Sequence, residues 1–326
     1  MWNKFPTVAL LGAMMIAVMS QAQAERRWID LTHPVPTFLP VEGDPLRTDY
    51  GKPWLNSIPH VTWYQQAILT ISHYSVSTVT YPSGKLVIDE HYGTHLDAPN
   101  HVINKPQTMA EHGIPNEERR DMSQLTPEDL IGPVVLIDIG NRVRAELEKN
   151  GGRPSPDRSV TDFSDDSGNV VTAADIDAIA DQLVDGAWIV VNMDWARFFF
   201  DGDYRMRRSA YFNNFNHPGL NREAVDRLVQ IIDERNLELG GIAVDNINVD
   251  TGQGNWGTGA SAMKTDPWYS HTVLLQRDVL IIDNLANVQE LADVMNDGAG
   301  CTLVVGALKH VRATGGFSRV FAMCES

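Results

Sequence analysis

Short apolar runs rich in β-branched and aromatic residues recur along the chain, and in its second half they alternate with helical patterns. Runs of this kind predict β-strands. They cover Arg27–Leu31, Leu69–Tyr81, Lys85–Glu90, Val134–Ile139, Trp188–Met193, Leu239–Val244, Val279–Ile282, Thr302–Val305 and Phe317–Ala322. Because alternating strands and helices build layered α/β folds, we predict a mixed central sheet with helices packed outside it.

Helical patterns lie between some of these runs. Thr172 is a candidate N-cap for a helix that extends to Leu183, and Asn221 is a candidate N-cap for a second helix. The apolar face of this second helix consists of Val225, Leu228, Val229 and Ile232. A third pattern covers residues 288–295. The stretch 150–169, rich in Gly, Pro, Asp and Ser, predicts a polar loop.

The N-terminal residues 1–24 have the order of a secretory signal peptide. A lysine precedes an apolar run over residues 8–18, and Ala-Gln-Ala follows at residues 22–24. The run falls short of the ~20 residues that span a bilayer, so we favour cleavage over an uncleaved membrane anchor. We therefore predict an exported protein, periplasmic or secreted, with a single domain over residues 25–326 and no membrane attachment after cleavage.

The charge of the chain restricts its partners. It has 26 basic and 42 acidic residues, a formal net charge of −16 at pH 7. Such a charge repels phosphate backbones and anionic lipid head groups, which argues against nucleic acid and membrane-surface partners. Solubility alone is the alternative explanation for the acidic surplus.

Two cysteines stand in neighbouring apolar runs. Cys301 opens the run CTLVVGAL, and Cys324 closes the run FSRVFAMC. If the two runs pair as an antiparallel hairpin centred near residue 312, the cysteines lie opposite each other within disulfide reach. An exported protein could keep such a bond, because it resides in an oxidising compartment. Two buried thiols in adjacent strands are the alternative.

The sequence HYGTHLDAPNH at residues 91–101 places three histidines and one aspartate at odd positions. A helix would turn Asp97 away from His95, and a straight strand would set His91 and His95 about 13 Å apart. A strand that bends at Gly93 would bring these side chains together, and the proline that follows disfavours helix. We therefore predict a bent segment at the end of a strand.

These residue types suit a metal ion. Two imidazoles and one carboxylate are ligands for zinc, manganese or iron, and they leave positions open for water and substrate. His101 lies four residues beyond Asp97 and could take a proton from water beside the ion without binding the ion. A chance cluster of polar residues in a loop is the alternative interpretation.

The histidine motif resembles the signature of the cyclase family, which includes bacterial kynurenine formamidase and isatin hydrolase. The form in common is His-x-Gly-Thr-His-x-Asp-x-Pro-x-His. Further segments that resemble the family span nearly the whole chain after residue 24: WIDLTHPV, IVVNMDW, HPGLNREAV, GGIAVD, IIDNLANVQEL and ALKHVRATGGFSRV. The resemblance implies a swivelling β/β/α fold, a homodimer or homotetramer, and a metal-dependent hydrolase.

The resemblance also implies roles for the residues of the motif. Carried over residue by residue, His91, His95 and Asp97 would be ligands of a divalent ion, Zn or Mn, and His101 would be the general base. Formamidase members hold a second ion with a histidine and a glutamate twelve residues later. In this chain His271 is followed twelve residues later by an aspartate, Asp283.

That pair extends the predicted ligand set to His271 and Asp283. The side chain of Asp283 is one methylene shorter than the glutamate of formamidase members, so the number of ions, one or two, stays open.

The implied reaction is hydrolysis of an amide or lactone by metal-activated water, with a histidine as base. The implied substrates are N-formyl aryl amines, cyclic aryl amides and lactones, as for an arylformamidase or isatin hydrolase. An exported metal- or solute-binding protein of the same fold, without turnover, is the alternative. The spacing of the motif differs from the His-x-His-x-Asp-His of metallo-β-lactamases, which disfavours that class.

Two further segments are candidates for substrate contacts. Residues 194–215 are dense in aromatic side chains, which suits stacking on a flat substrate, with core or dimer-interface packing as an equal alternative. Residues 251–271 contain several glycines but no Gly-Lys-Ser/Thr, so they predict a mobile loop near the site and not a phosphate cradle.

Overall fold

An 8-stranded sheet organises the described part of the chain. The computed structural model describes residues 26–34, 90–91, 93–101, 119–199, 210–252 and 268–325. Its strands are β1 Arg26–Asp30, β2 His95–Asp97, β3 Ile131–Asp138, β4 Trp188–Asn192, β5 Gly241–Val244, β6 Leu280–Asp283, β7 Gly300–Ala307 and β8 Gly315–Glu325. The strand order is β1-β8-β2-β6-β5-β4-β3-β7, and an additional pairing of β7 with β8 closes the sheet into a barrel.

Helices flank this barrel. The α-helices are α1 Pro127–Leu130, α2 Gly140–Glu148, α3 Ala173–Ile179, α4 Arg222–Arg235, α5 Tyr269–Leu275 and α6 Val288–Asn296. Short 3₁₀ turns cover Pro99–His101, Met122–Gln124, Ala180–Gln182, Ala196–Phe198 and Asn213–Phe215. None of the helices in the described ranges is long and apolar enough to cross a membrane.

The sheet is mixed. Strands β3, β4, β5 and β6 run parallel in the order in which they occur along the chain. The other pairings are antiparallel: β2 with β6 and β8, β7 with β3 and β8, and β1 with β8. Parallel strands need crossover segments, and here helices supply them. The predicted α/β class, with a mixed sheet and outer helices, is confirmed.

The core lies on both faces of the central strand β4, which is buried along its whole length. Ile189 and Val191 belong to one apolar cluster together with Leu228 of α4. Trp188 and Val190 belong to a second cluster, which residues of α6 and β8 complete. Each fully buried side chain of this kind contributes roughly 1.5–3 kcal/mol. This explains why the sequence of β4 is a continuous apolar run instead of an alternating one.

Two of the predicted helices begin where the sequence indicated. The backbone N–H of Thr172 donates to Asp175 Oδ2 at 2.8 Å, one half of a capping box at the start of α3. The side chain of Asn221 accepts the backbone N–H three residues later at 2.9 Å and so caps α4. On α4 the predicted apolar face is slightly rotated, because Ile231 is buried whereas Val229 is only partly buried.

Three other helices were not predicted, among them the four-residue α1. In α2 the buried branched side chains are Val143 and Leu147, too few to give a clear helical period. Helix α5 begins inside the segment 251–271, so the loop prediction is wrong for residues 269–271. The physical reason is that the backbone N–H of Ser270 finds its acceptor outside the helix, as described below, and no local capping residue marks the start.

Several predictions concern residues outside the described ranges. They are the signal peptide over residues 1–24, the strand over residues 69–81, most of the strand predicted for Lys85–Glu90 and residues 253–267 of the predicted mobile loop. Glu90 itself is described and lies in a turn. The single-domain organisation stays a prediction.

Residues 150–169 form the predicted loop, and a buried asparagine holds the loop against the core. Asn216 Nδ2 donates to the carbonyl oxygens of Ser155 at 2.8 Å and Thr161 at 2.7 Å. Phe163 is fully buried, with its ring centroid 5.3 Å from that of Trp195. The loop therefore contributes an aromatic side chain to the core despite its polar composition.

Cys301 and Cys324 form a disulfide bond between β7 and β8. The strand register pairs the two residues directly, and their Cα atoms lie 4.1 Å apart. The predicted hairpin and its cross-link are therefore confirmed. Both cysteines are buried, so the bond is shielded from solvent.

Removing this disulfide is expected to destabilise the fold. The two cysteines are 23 residues apart, and a cross-link that closes a loop of this size stabilises a protein by about 3 kcal/mol, chiefly by restricting the unfolded chain. The double variant Cys301→Ala/Cys324→Ala should lose about this free energy of unfolding in a denaturant titration. Wild-type protein unfolded under reducing conditions is the control, and equal stabilities of its oxidised and reduced forms would contradict the expectation.

Candidate metal centre

The segment that carries the histidine motif is bent, as predicted. Gly93 has a φ of 60°, a left-handed conformation that favours glycine, and the chain turns there. Strand β2 follows over His95–Asp97, and the 3₁₀ turn Pro99–His101 ends the segment. The turn before β2 directs His91 towards Asp97, and the 3₁₀ turn after β2 directs His101 towards the same residue. These three side chains and His95 therefore meet, although no single helix or strand contains them all.

Strand pairing brings a distant residue to the motif. Strand β2 lies between β6 and β8, and its register places His95 opposite Asp283 and Asp97 opposite Gly315. Asp283 is the last residue of parallel strand β6. The carboxylate predicted from the spacing to His271 is therefore an immediate neighbour of the motif.

Asp97 lies at the centre of the group. Its Oδ1 atom lies 2.7 Å from His91 Nδ1 and 3.4 Å from His95 Nε2. Its Oδ2 atom lies 3.4 Å from Nε2 of His271, and that nitrogen lies 3.9 Å from Asp283 Oδ2.

The sixth predicted residue, His101, stacks on His91 with ring centroids 3.8 Å apart. The structure thus brings together all six predicted residues, which we call the Asp97 cluster: His91, His95, Asp97, His101, His271 and Asp283.

Two sets of side chains in the Asp97 cluster have the spacing of metal ligands. One set is His91, Asp97 and His101, and the other is His95, Asp97 and Asp283. Within each set, one ligand atom per residue lies within 4.8 Å of the others. Asp97 belongs to both sets. His101 belongs to the first set, so it is a candidate metal ligand as well as the predicted base. Which of these residues bind an ion and which move protons stays a prediction.

Burial and mutual charge shift the ionisation of the Asp97 cluster. Burial would raise the pKa of Asp97, but the surrounding histidines lower it well below its usual range. Burial raises the pKa of Asp283 well above its usual range. Burial also lowers the pKa of His101 well below that of a free imidazole, although nearby Asp97 opposes this effect. These opposite shifts show that the two carboxylates have different surroundings.

A buried aspartate that the sequence analysis did not identify holds His271. Asp250 Oδ2 lies 2.7 Å from His271 Nδ1, and Asp250 Oδ1 accepts the backbone N–H of Ser270 at 2.5 Å. Burial would lower the pKa of His271, but the neighbouring carboxylates, Asp250 before Asp97, raise it well above its usual range. Asp250 therefore caps the first turn of α5 and contacts the imidazole at the same time.

A pattern in the sequence after β5 accompanies this aspartate. In DNINVD, polar residues alternate with the buried Ile247 and Val249. Asn246 Oδ1 accepts the backbone N–H of Asn248 at 3.1 Å, and Asn248 Oδ1 accepts that of Asp250 at 2.8 Å. Two consecutive side-chain turns thus fix the position of the aspartate. Alternating Asn and Asp at the carboxyl end of a buried strand is the signal that could have identified Asp250.

The donor set fits a divalent cation. Asp97 Oδ2 and Asp283 Oδ1 are buried and meet no donor with hydrogen-bond geometry among the described residues. Buried carboxylate oxygens without a partner are costly, and a cation would satisfy both. Imidazole nitrogens and carboxylate oxygens are ligands that zinc and manganese share, so the donor set does not select between these ions.

Comparison with known proteins agrees with the resemblance seen in the motifs. The model of the family Cyclase, described as "Putative cyclase", matches residues 29–251. The chain belongs to the cyclase family. Isatin hydrolase of Roseibium aggregatum is 25% identical to this cyclase-family chain over 258 residues, which are 78% of this chain and 79% of the relative.

Solved structures show the same fold. An isatin hydrolase bound to the product analogue thioisatinate superposes with a TM-score of 0.58 at 22% identity, covering 93% of this chain and 94% of that one. Isatin hydrolase A from Ralstonia solanacearum gives a TM-score of 0.57 at 22% identity, covering 91% and 92%. The expected cyclase-type fold is therefore confirmed.

The glycine pair in the closing hairpin of this cyclase-family chain makes room for the motif. A Cβ atom at Gly315 would lie 2.5 Å from His91 Cε1 and 2.8 Å from the carbonyl oxygen of Leu96. A Cβ atom at Gly316 would lie 3.1 Å from Met122 Cε, the flexible end of a side chain that can move aside, and 3.9 Å from the carbonyl oxygen of Leu308. Glycine is thus required at the first position by close approach and not by backbone conformation.

Gly315→Ala is expected to displace the ring of His91 and to cost about 1–3 kcal/mol of stability, as overpacked sites do. It should also weaken metal binding, because His91 is a predicted ligand. Gly316→Ala is the matched control and should change both quantities little. Melting temperature and metal content of the two variants test this, and equal behaviour of both variants would contradict it.

The aromatic segment 194–215 packs in the core. Its described members with little or no exposure are Trp195, Phe198, Phe199, Tyr211 and Phe212. One face of Phe199 is covered by the imidazole of His33, with ring centroids 3.6 Å apart and planes 6° apart. Core packing is thus the role of these side chains, and substrate stacking on them is not supported. Phe200 and Tyr204 lie outside the described residues.

The stacked His33 is expected to make stability depend on pH. Burial lowers its pKa from 6.5 to about 4. Between these values the unfolded chain binds more protons than the folded one, so the free energy of unfolding falls as the pH drops from 6.5 towards 4. The slope from one such group approaches about 1.4 kcal/mol per pH unit. Denaturant titrations from about pH 7 to about pH 5 should show this loss in wild type.

His33→Phe keeps the stacking and removes the titrating group, so its stability should fall less steeply with decreasing pH. Protonation of the Asp97 cluster affects both proteins alike and cancels in the comparison. Identical slopes for the two proteins would show that His33 is not responsible.

Proposed function

We propose that this protein is a metal-dependent hydrolase that opens a cyclic aryl amide or a related aryl amide or lactone. The observation that carries the proposal is the Asp97 cluster, in which two buried carboxylate oxygens face several imidazoles and meet no hydrogen-bond donor within the described ranges. Membership in the cyclase family and similarity to isatin hydrolase support the substrate class.

The residues of the Asp97 cluster would have two roles, metal ligand and base. A divalent ion, zinc or manganese, would be held by His91, His95, Asp97, His271 and Asp283. These donors do not determine whether one ion or two would bind. When bound, such an ion supplies Lewis acidity to a carbonyl oxygen and to a water molecule.

His101 would be the base. It lies beside Asp97 and stacks on His91, so it can accept a proton from the attacking water and return that proton to the leaving nitrogen. Water adds to the carbonyl carbon, the C–N bond breaks and the nitrogen takes the proton that His101 carries. The carboxylic acid that forms releases its remaining proton to give a carboxylate. A lactone would react in the same way with an oxygen leaving group.

Burial limits access of bulk water to the reaction. His95, Asp97, His271 and Asp283 are each at most 2% exposed. In such surroundings, charges act more strongly on a substrate than they do in water.

We also propose that the protein is exported and forms a homodimer or homotetramer. The disulfide between Cys301 and Cys324 supports export, because such bonds persist in oxidising compartments. N-terminal sequencing of protein recovered outside the cytoplasm tests the predicted cleavage after residue 24, and light scattering tests the oligomeric state. An intact leader or a monomer would contradict the respective proposal.

The experiment for the reaction is elemental analysis coupled to turnover. Purified protein loaded with manganese or zinc is assayed on isatin, an N-formyl aryl amine and an aryl lactone, before and after chelation. Ring opening or deformylation that chelation abolishes is the expected result. A bound ion without turnover of any of these compounds would favour a metal- or solute-binding protein. Absence of a bound ion after loading would contradict the metal centre itself.

A further inference from the structure

We propose that Asp250 is a positioning residue that fixes the ring of His271 so that its Nε2 atom faces the carboxylates of Asp97 and Asp283. This inference rests on the metal centre proposed above and adds to it a residue outside the predicted ligand set. Asp250 is separated from the histidine motif by nearly half of the chain and is buried, with 4% of its surface exposed.

The geometry assigns one ring nitrogen to each partner. His271 Nδ1 lies 2.7 Å from Asp250 Oδ2, while Nε2 lies 3.4 Å from Asp97 Oδ2. Because a carboxylate can only accept and the contact with Asp250 is the shorter of the two, the ring keeps its proton on Nδ1 when Nε2 binds an ion. The lone pair of Nε2 then points towards the carboxylates, which is the state that a metal ligand needs.

Asp250 is itself held rigidly. Its Oδ1 atom accepts the backbone N–H of Ser270, and its own backbone N–H donates to Asn248 Oδ1 at 2.8 Å. The carboxylate therefore cannot turn away without giving up the first turn of α5. A carboxylate fixed behind a ligating histidine sets the orientation of the ring and increases its basicity.

A second buried aspartate provides a matched control. Asp245 begins the same polar stretch after β5 and is 1% exposed. It accepts backbone N–H groups of Met193 at 3.0 Å and Trp195 at 2.9 Å. Asp245→Asn and Asp250→Asn thus make the same chemical change, each at a carboxylate whose two oxygens accept backbone or ring N–H groups. The change at Asp245 leaves the contacts of His271 unaltered.

The first readout is the affinity of the purified full-length protein for zinc, measured by competition with a chelator. Asp250→Asn is expected to weaken zinc binding roughly 10- to 100-fold, as changes behind a ligating histidine do, and Asp245→Asn should leave it near the wild-type value. An unchanged affinity in Asp250→Asn, or an equal loss in both variants, would overturn the proposal. The amide of Asn is a good cap for α5, so this variant retains the acceptor that Ser270 needs.

The second readout is the proton on His271 Nδ1, observed by NMR and assigned with the spectrum of His271→Gln. In wild type this buried proton should be present and should exchange slowly with water, with or without zinc. A His271 ring that lacks it, or one that keeps an equally protected proton in Asp250→Asn, would overturn the proposal.

The two readouts separate this inference from the proposed function. Neither uses turnover, so failure of the hydrolase assay leaves both comparisons decisive. If wild type binds no zinc, the metal centre fails, and the Nδ1 proton still tests the orientation. If Asp250→Asn does not fold, Asp250→Ser, which also caps helices well, takes its place, and the wild-type proton needs no variant at all.

Discussion

Asp97→Asn is expected to abolish metal binding and hydrolysis together. Asp97 belongs to both sets of candidate ligands, and its two oxygens face histidines from three directions. The amide keeps the volume of the side chain but loses its negative charge and one of its two acceptor oxygens. The affinity for zinc or manganese should therefore fall by more than the roughly 100-fold that marks the upper range for residues behind a ligand.

The measurement is metal content by elemental analysis, together with turnover of the substrate that proves active. Asp138→Asn is the control, because Asp138 also ends a strand and accepts a backbone N–H, that of Gly140 at 3.0 Å, but lies outside the Asp97 cluster. It should keep the wild-type metal content. Full metal content in Asp97→Asn would contradict the metal centre as we describe it.

His101→Ala is expected to separate turnover from metal binding. If His101 moves the proton of the attacking water, its loss should lower kcat by roughly 10²- to 10⁴-fold, the usual contribution of a general base. The ion should remain, because the set formed by His95, Asp97 and Asp283 is untouched. Steady-state kinetics and elemental analysis on the same preparation give both quantities.

The control for this variant is His310→Ala, which removes an exposed imidazole from the loop before β8. It should change neither kcat nor metal content. Full activity of His101→Ala would show that another group accepts the proton. Loss of the ion from His101→Ala would assign His101 to the ligands, with which the structure also groups it.

The sequence predicted those structural features that depend on residues close together in the chain. The continuous apolar run at β4 predicts a strand buried on both faces, and the caps at Thr172 and Asn221 predict where two helices begin. The bend at Gly93 could also be predicted, because neither a helix nor a straight strand brings His91 to Asp97, and glycine tolerates the turn. The predicted hairpin was specific enough to pair the two cysteines.

The rest depends on contacts that no local pattern contains. Asp283 is a neighbour of His95 because β2 inserts between β6 and β8, and only the assembled sheet determines that register. The start of α5 was missed because its cap, Asp250, is supplied from twenty residues earlier. The aromatic segment 194–215 had two equally good explanations from sequence, and burial in the core decides between them for the described members.

The position of β2 between β6 and β8 also has a consequence for the order of events during biosynthesis. The histidine motif leaves the ribosome early, whereas Asp283 and the glycine pair of β8 belong to the last part of the chain. The candidate ligand set that contains Asp283 is thus incomplete until synthesis nears its end, and pairing over such long sequence separations is slow. We therefore expect an ion held by His95, Asp97 and Asp283 to bind only after the barrel has closed.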